Sequence, residues 1–516
     1  MHKAKPYIFL LLLLMTALWA SCRKDFEYAP NIGRLEFSKD TVFLDTVFTK
    51  IGSSTYSLKV YNRTGDDILI PTLGLGEGTT SNYRLNVDGE AGQTFTDVPI
   101  LAKDSLFIFI ETTFDISSVN QNEFLYTDAI VFDSGVNEQQ VPLVTLVKDA
   151  IFLFPRTLSN GSKESLLLGL DEEGNEIRIE GFLLEDDELQ FTNEKPYVIY
   201  GYAAVGDGST LQIDAGARVH FHEDSGLLVG SGGSLQVNGS LSMDQEVLEN
   251  EVIFEGDRLE PDFANISGQW GTVWLAPGSV GNIIDYLTIK NATVGMLVEG
   301  GIGNPQPTLS IANSQIHNSA TINLWARSSF IEGTNMVLGS AGNASLSCNI
   351  GGDYRFVHST IANYWSNGFR IGAALQLGNT ENIPGGATLE EDLIRADFVN
   401  CIIDGNTSLE LGLIANGTNI FNFNLLNCML KFRDTGNQFE GNPLYDFTDT
   451  NLYTELILNA DAEFISTAKN DYRIGEMSAA IGVGDTQGVT VAPLDLLGLN
   501  RPTPPDLGAY QYIPDN

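Results

Sequence analysis

Few side chains in the second half of the chain are of the types that perform acid–base or metal chemistry. In the stretch HFH, His220 and His222 alternate along a predicted strand and therefore share one face, as a two-ligand metal half-site requires. No third ligand is near in sequence except Glu223 or Asp224, which favours an ordinary strand edge over a metal site. The remaining charged residues of the strand segments stand singly, at Asp285, Lys290, Arg355, Asp397, Asp404 and Lys431.

Hydrolysis of a glycosidic bond needs two carboxylates that converge on one sugar. No Asp-Asp pair lies in the second half, and the acidic pairs at 66–67 and 186–187 lie before it. Arg355 with His358, or Arg370, could still meet an acid from a neighbouring repeat. We therefore predict no catalytic residue, no metal-binding residue and no cofactor, although the acidic composition is compatible with structural calcium.

Aromatic side chains offer a different chemistry, because their rings stack on the apolar faces of sugars. Trp325 lies in LWARSS, and three more aromatic residues lie in NYWSNGFR, which includes Phe369. We predict Trp325, Tyr364, Trp365 and Arg370 as glycan contacts. The alternative is that these rings fill or cap the edges of the fold.

The four cysteines fall into two groups. Cys22 follows residues 1–21, which have a positive start, an apolar run and two small residues, as a secretory signal peptide does. The apolar run is too short to span ~30 Å of hydrocarbon as a helix. Cys348, Cys401 and Cys428 lie far downstream without a CxxC or Cys/His pattern that would indicate zinc. We predict that Cys401 and Cys428 are free, buried thiols.

The composition excludes some classes of protein. A chain of 516 residues can form two or three domains, and 43% hydrophobic residues exclude a disordered chain. The net charge of −38 argues against nucleic acid as a partner, because phosphates would not be neutralised. It also argues against unaided binding of polyanionic sugars.

Alternating apolar residues predict that the first part of the chain is a β-sandwich. SLKVYNRTGDDILI, DSLFIFIETTFD and TDAIVFDSG each alternate apolar and polar positions and are separated by turn residues. After a linker at 22–30, we place this sandwich at 31–148. The more acidic segment 149–196 is predicted to be a strand-rich connector.

From residue 197 the sequence is repetitive. LSIANSQIHN, YRFVHSTIAN, ADFVNCIID and NFNLLNCMLK each place a small residue before an apolar strand. A period of about 25 residues with many Gly and Asn is typical of a parallel β-helix, which we place at 197–513. Asn291, Asn318 and Asn363 follow strands, where Asn tolerates left-handed backbone and its amide can bond the next coil.

Several stretches resemble known families. Residues 195–240 resemble the opening of pectin-lyase-like, right-handed β-helix proteins, GQWGTVWLAPGS fits the following coil, and 461–512 resembles their closing motif in Bacteroidetes. LKVYNRTGDDILI resembles Ig-like domains. Small residues before Cys22 resemble a lipobox, in which the thiol is lipidated, and RKDFE resembles the export signal of Bacteroidetes surface lipoproteins.

These resemblances imply an all-β chain with an N-terminal Ig-like β-sandwich and a right-handed parallel β-helix solenoid. They imply a lipoprotein anchored to the outer membrane through Cys22 and facing the exterior. We predict a non-catalytic binding or structural role, through contacts of the β-helix flank with a glycan or an envelope protein. The alternative is a polysaccharide lyase or glycoside hydrolase of the pectin-lyase-like fold.

Overall fold

The computed structural model of the chain describes residues 28–118, 123–171, 173–383 and 386–514. The predicted signal peptide and Cys22 lie outside the described residues. The chain divides into two compact units, the first ending at Asp149 and the second beginning at Ala150. Within the described ranges, no helix has the length and apolar character needed to cross a membrane.

The first unit consists of two sheets around one apolar core. One sheet has the order β1-β5-β10-β11-β3 with β8 also on β5, and the other has the order β2-β4-β9-β6-β7. Alternation decides which side chains are buried, so that in β9 Leu106, Ile108 and Ile110 enter the core while Phe107 and Phe109 face outward. The strands are β1 (Ala29–Pro30), β2 (Glu36–Phe37), β3 (Val42–Phe48), β4 (Tyr56–Tyr61), β5 (Ile68–Leu75), β6 (Tyr83–Val87), β7 (Glu90–Gly92), β8 (Thr94–Ile100), β9 (Ser105–Thr112), β10 (Glu123–Phe132) and β11 (Gln139–Lys148).

The second unit is built from many short strands. They are β12 (Ile151–Leu153), β13 (Ser165–Leu170), β14 (Glu176–Leu183), β15 (Gln190–Phe191), β16 (Tyr197–Ile199), β17 (Tyr202–Val205), β18 (Thr210–Asp214), β19 (Arg218–Phe221), β20 (Gly226–Val229), β21 (Ser234–Asn238), β22 (Val252–Gly256), β23 (Val273–Leu275), β24 (Asn282–Asp285), β25 (Leu287–Lys290), β26 (Val294–Glu299), β27 (Leu309–Ala312), β28 (Gln315–Ser319), β29 (Ile322–Thr334), β30 (Val337–Ala341), β31 (Ala344–Val357), β32 (Thr360–Asn363), β33 (Leu375–Gly378), β34 (Thr380–Asn382), β35 (Thr388–Glu390), β36 (Leu393–Val399), β37 (Ile402–Gly405), β38 (Leu411–Ile414), β39 (Asn424–Leu426), β40 (Met429–Leu430), β41 (Tyr453–Thr454), β42 (Ile457–Leu458), β43 (Phe464–Ser466) and β44 (Asp471–Ile474). A short helix, α1, spans Thr486–Val491.

Most of these strands pair in parallel with the strand one coil later, which makes the unit a β-helix-like solenoid as predicted. One sheet, which we call the covered sheet because the end of the chain packs on it, has the order β12-β16-β19-β22-β25-β28-β30-β32-β37-β40-β42. The long sheet has two rows: a front row (β17, β20, β23, β26, the first halves of β29 and β31, β33, β38) and a side row (β18, β21, β24, β27, the second halves of β29 and β31, β36, β39, β41). Residues 151–191, within the predicted connector, already supply strands to both sheets.

The turn from the side row to the covered sheet contains a single left-handed residue in each of seven coils. These residues form what we call the turn stack: Tyr286, Asn313, Asn335, His358, Asn400, Asn427 and Glu455, with φ between 46° and 56°. Asn335 Nδ2 donates to Asn313 Oδ1 at 2.8 Å, so the amides bond from coil to coil. Stacked Asn residues therefore satisfy each other where the backbone changes direction.

The predicted Asn ladder lies on the other side of the covered sheet and is confirmed in part. Asn291 and Asn318 have positive φ, and Asn318 Nδ2 donates to Asn291 Oδ1 at 2.6 Å. Asn363 does not adopt the left-handed conformation. It ends β32, and its Oδ1 accepts from the backbone of Ala341 and Trp365.

The closing segment, residues 461–514, packs on the covered sheet. The ring of Tyr472 lies against Gly339, where a Cβ atom would overlap it. Arg501 Nη2 donates to Asn335 Oδ1 at 2.8 Å and so ties the segment to the turn stack. The outer face of this sheet is therefore largely occupied by the chain itself.

The three described cysteines are free and buried, which confirms the prediction for Cys401 and Cys428. These two stack on successive coils, with the backbone N–H of Cys401 donating to Cys428 Sγ at 3.4 Å. Burial raises the pKa of the Cys428 thiol well above its usual range. The thiols are therefore packing groups.

Candidate functional site

The front row carries outward side chains at alternate positions of each strand, because alternate positions share a face. Parallel register aligns Ala204, Leu228, Trp274, Leu297, Trp325, Ser347, Gln376 and Gly412. Trp274 and Trp325 are two coils apart, about 10 Å along the solenoid. Both are only partly buried, so this row presents two indole groups at its surface.

A carboxylate is fixed beside these rings. Glu299 ends β26 and is the register neighbour of Arg327 on the next coil. Arg327 Nη1 donates to Glu299 Oε1 at 2.5 Å, and Trp274 Nε1 donates to Glu299 Oε2 at 2.8 Å. Both oxygens of Glu299 therefore have a donor, which fixes the orientation of the carboxylate.

A second carboxylate reaches the same guanidinium from a different element. After β33 the chain forms a hairpin of β34 and β35, and Glu381 lies on β34. Arg327 Nε donates to Glu381 Oε2 at 3.2 Å. We call this group the Glu299–Arg327–Glu381 cluster; all three side chains are partly buried but accessible.

A small polar cavity of about 170 Å³ adjoins the cluster. Its lining consists mainly of groups that can bond hydroxyls: Asn349, Gln376, Thr380, Glu381 and Asn382, with Leu377, Gly378 and Ile414. Asn349 is the register neighbour of Arg327, so the cavity continues the front row. Rings, paired carboxylates and amides thus meet on one surface.

Of the four predicted glycan contacts, Trp325 lies in this front row. Tyr364 and Trp365 instead pack into the fold: Tyr364 Oη donates to Asp404 Oδ2 at 3.0 Å and its ring lies near Tyr472 of the closing segment. Trp365 is only 8% exposed. Both residues also line a cavity of about 120 Å³, together with Asn318, Ser366 and Asn470.

Arg370 also has a structural position. Its side chain is 2% exposed and that of Glu410 is 0% exposed, and two of its nitrogens donate to the Glu410 carboxylate at 2.6 and 2.8 Å. Arg370 Nη2 also donates to Asn363 O and Asn406 Oδ1. The guanidinium therefore anchors its loop and does not reach the surface.

The side row answers the question of whether Arg355 meets an acid. Arg355 is the register neighbour of Asp397 on the next coil. Beside this pair, Arg395 Nε donates to Asp353 Oδ1 at 2.6 Å. Burial raises the pKa of Asp397, against the opposing effect of Arg395 and Arg355. His358 lies apart from them, in the turn stack, where its Nε2 faces the amide of Asn400.

The HFH stretch forms no metal site. His220 Nδ1 lies 3.2 Å from Gly256 O, and His222 Nδ1 lies 2.7 Å from Asp257 Oδ2. Across the part of the chain that the structure describes, no three His, Cys, Asp or Glu side chains are grouped so as to hold a metal ion.

Glu299, Arg327 and Glu381 were not predicted from the sequence. Aligning VGMLVE with INLWAR would have placed Glu299 beside Arg327, because both strands occupy the front row. No comparable signal exists for Glu381, since it lies on an inserted hairpin whose direction the repeat does not determine.

No family model matches the sequence, and no curated protein matches it. Among solved structures, the catalytic unit of a thermostable GH87 alpha-1,3-glucanase from Streptomyces thermodiastaticus strain HF3-3 matches with 11% identity and a TM-score of 0.27 over 72% of this chain and 79% of that one. The catalytic domain of a GH87 alpha-1,3-glucanase in complex with tetrasaccharides matches with 10% identity and a TM-score of 0.14, over 72% and 82% of the two chains.

Both matched structures are catalytic parts of glycoside hydrolases. Neither match is to a non-catalytic protein, so the comparisons stand against the predicted non-catalytic role and leave its alternative, a glycoside hydrolase, as a proposal. With TM-scores under 0.5, the two likenesses assign neither a residue nor a substrate to this chain.

Proposed function

We propose that this chain is a glycoside hydrolase whose site is the Glu299–Arg327–Glu381 cluster. The observation that carries the proposal is the pair of carboxylates, from two separate elements, held at one guanidinium beside two outward Trp rings. Glycoside hydrolysis uses two carboxyl groups flanking the scissile bond.

In this proposal the members of the cluster have different tasks. One carboxyl group protonates the leaving glycosidic oxygen as its bond to the anomeric carbon breaks. The other carboxylate either removes a proton from the water that attacks this carbon, or attacks it directly to form an ester that water then cleaves, with the first carboxylate taking the proton of that water. Arg327 stabilises the negative charge that the acid carries after it has given up its proton.

The surroundings favour a neutral polysaccharide. Trp274 and Trp325 offer ring faces on which sugars stack, and the amides of Asn349 and Gln376 can bond hydroxyl groups. A net charge of −38 would repel a chain of uronic acids.

The test is replacement of each carboxylate by its amide. Glu299→Gln and Glu381→Gln should each lower the release of reducing ends from a panel of neutral polysaccharides by about 10²-fold or more, because neither amide can transfer a proton. Glu332→Gln, an exposed side-row glutamate, is the matched control and should keep wild-type rates. Activity that survives both cluster substitutions, or a wild-type protein that cleaves none of the panel, would contradict the proposal.

We further propose that the protein is a Bacteroidetes outer-membrane lipoprotein exposed to the exterior, with a right-handed solenoid and an Ig-like first unit. The signal-like residues 1–21 and the lipobox-like residues before Cys22 support this. Cys22→Ala should abolish incorporation of labelled palmitate and move the protein to the soluble fraction. Unlabelled wild-type protein would refute the anchor.

A further inference from the structure

A pair of fully exposed apolar side chains projects from the loop 364–374. Phe369 and Ile371 are 101% and 98% exposed, although they flank Arg370, whose side chain is buried against Glu410. We call Phe369 and Ile371 the apolar tip. A buried, multiply bonded guanidinium restrains the backbone between them, so the tip is held outward and does not fold back onto the solenoid.

The loop that carries the tip belongs to the wall of the front row. It leaves β32 and enters β33, whose Gln376 follows Ser347 in the outward row and lines the polar cavity. A Cβ atom at Gly372 would overlap the side chains of Gln376 and Asn343, so the returning limb of the loop lies directly against the row. Glycine is required there because the approach is so close.

The charge and size of the tip restrict what can cover it. Arg370 is the only charged residue of 364–374, and it is neutralised by Glu410, so the loop offers no cation to an anionic membrane surface. Two side chains also cover far less than the roughly 1,200 Å² that a stable protein interface buries. A neutral ligand with apolar faces that already lies on the adjoining row fits both limits.

We propose that the apolar tip is a distal contact for the same neutral polysaccharide chain, so that the protein acts on long chains. This inference rests on the proposed function and extends its site. From Trp274 to Gln376 the row crosses four coil spacings, about 19 Å, which only a chain of several sugar residues spans. A sugar chain that contacts both Trp274 and the loop beside Gln376 must cover this length.

The experiment measures binding separately from cleavage. The full chain with Glu299→Gln is run in native gels cast with a soluble β-glucan, an α-glucan, a xylan or a galactomannan, with and without Phe369→Ala and Ile371→Ala together. We expect the double substitution to weaken retardation at least about tenfold, because it removes the two apolar side chains that the polysaccharide would bury. Met243→Ala with Val247→Ala, another exposed apolar pair, is the matched control and should change nothing.

The outcomes separate the two proposals. If retardation depends on the tip but the wild-type protein cleaves no polysaccharide, the proposed hydrolase activity is overturned and the proposed polysaccharide contact is supported. If the wild-type protein cleaves polysaccharide but the tip variant is retarded as strongly as its parent, the contact is overturned and the hydrolase activity is supported. Absence of retardation in the parent protein, or tip-dependent capture of a protein without retardation by any polysaccharide, would overturn the contact.

Discussion

The Arg370–Glu410 ion pair is buried, with both side chains almost completely removed from solvent. Its cost in lost hydration is offset because Glu410 also accepts hydrogen bonds from the backbone of Ala374 and Thr407. An ion pair that is joined by two hydrogen bonds and is also bonded to the backbone restricts the loop to one conformation. Its role is therefore to position the loop 364–374.

Glu410→Gln should destabilise the protein by about 3–5 kcal/mol, because it leaves the Arg370 guanidinium buried without a countercharge. The free energy of unfolding, measured in urea, checks this. Glu176→Gln breaks an exposed pair with Arg178 and is the control, with an expected change below about 1 kcal/mol. Equal losses for the two variants would mean that burial of the pair does not matter.

At the residue scale, the sequence indicates which loop carries exposed apolar side chains but not which of its side chains are exposed. NYWSNGFR predicts aromatic residues that leave the solenoid, but it cannot show that the closing segment covers Tyr364 or that Trp365 turns inward. The covering of Tyr364 depends on Tyr472, which lies far along the chain, and the main chain at Trp365 is bonded by Asn363 and Asn406. Trp325 was predictable because it lies in a strand, where alternation alone decides which side faces out.

At the element scale, coils in register made most of the fold predictable. The period, the small residues before strands and the turn-forming Asn all follow from stacking like positions on like positions. The same rule, applied to charges, would have paired Arg355 with Asp397 and Glu299 with Arg327. Asn363 departs from the expectation because its side chain accepts backbone hydrogen bonds inside the turn, so left-handed geometry is unnecessary.

At the scale of the whole molecule, the closing segment buries titratable groups on the covered sheet. His317, Lys290 and Glu255 lie on successive coils, and His317 Nδ1 faces the amide of Asn470 in the closing segment. Burial lowers the pKa of His317 to about 4; Lys290 adds to this and Glu255 opposes it. The imidazole is therefore neutral in the folded protein at neutral pH.

The protein should lose stability as the pH falls from about 6.5 to about 4. In this window the unfolded chain binds a proton at His317 that the folded protein does not, so the stability contributed above pH 6.5 is lost progressively. The contribution of this one residue is on the order of 3 kcal/mol. Urea unfolding at pH 7.5, 5.5 and 4 should show a smaller acid loss for His317→Asn.

His222→Gln is the control with the opposite sign. Its hydrogen bond with Asp257 raises the pKa of His222, so this residue contributes stability below its unfolded pKa and loses it as the pH rises. Removing it should make the acid loss steeper. If both substitutions reduce the loss of stability at acid pH equally, burial of His317 beneath the closing segment is not the cause of that loss.

The bend between the front and side rows is a single residue in β29, at Ser328, but in the next-but-one coil the chain runs from 379 to 392 before β36 resumes. Asp353 and Arg355 nevertheless align with Arg395 and Asp397 on the far side of that insertion. The strands of the side row therefore pair in the same way whether or not residues are inserted between the front and side rows. A different hairpin at 379–392, where Glu381 lies, would therefore leave the strands of both rows paired as they are now.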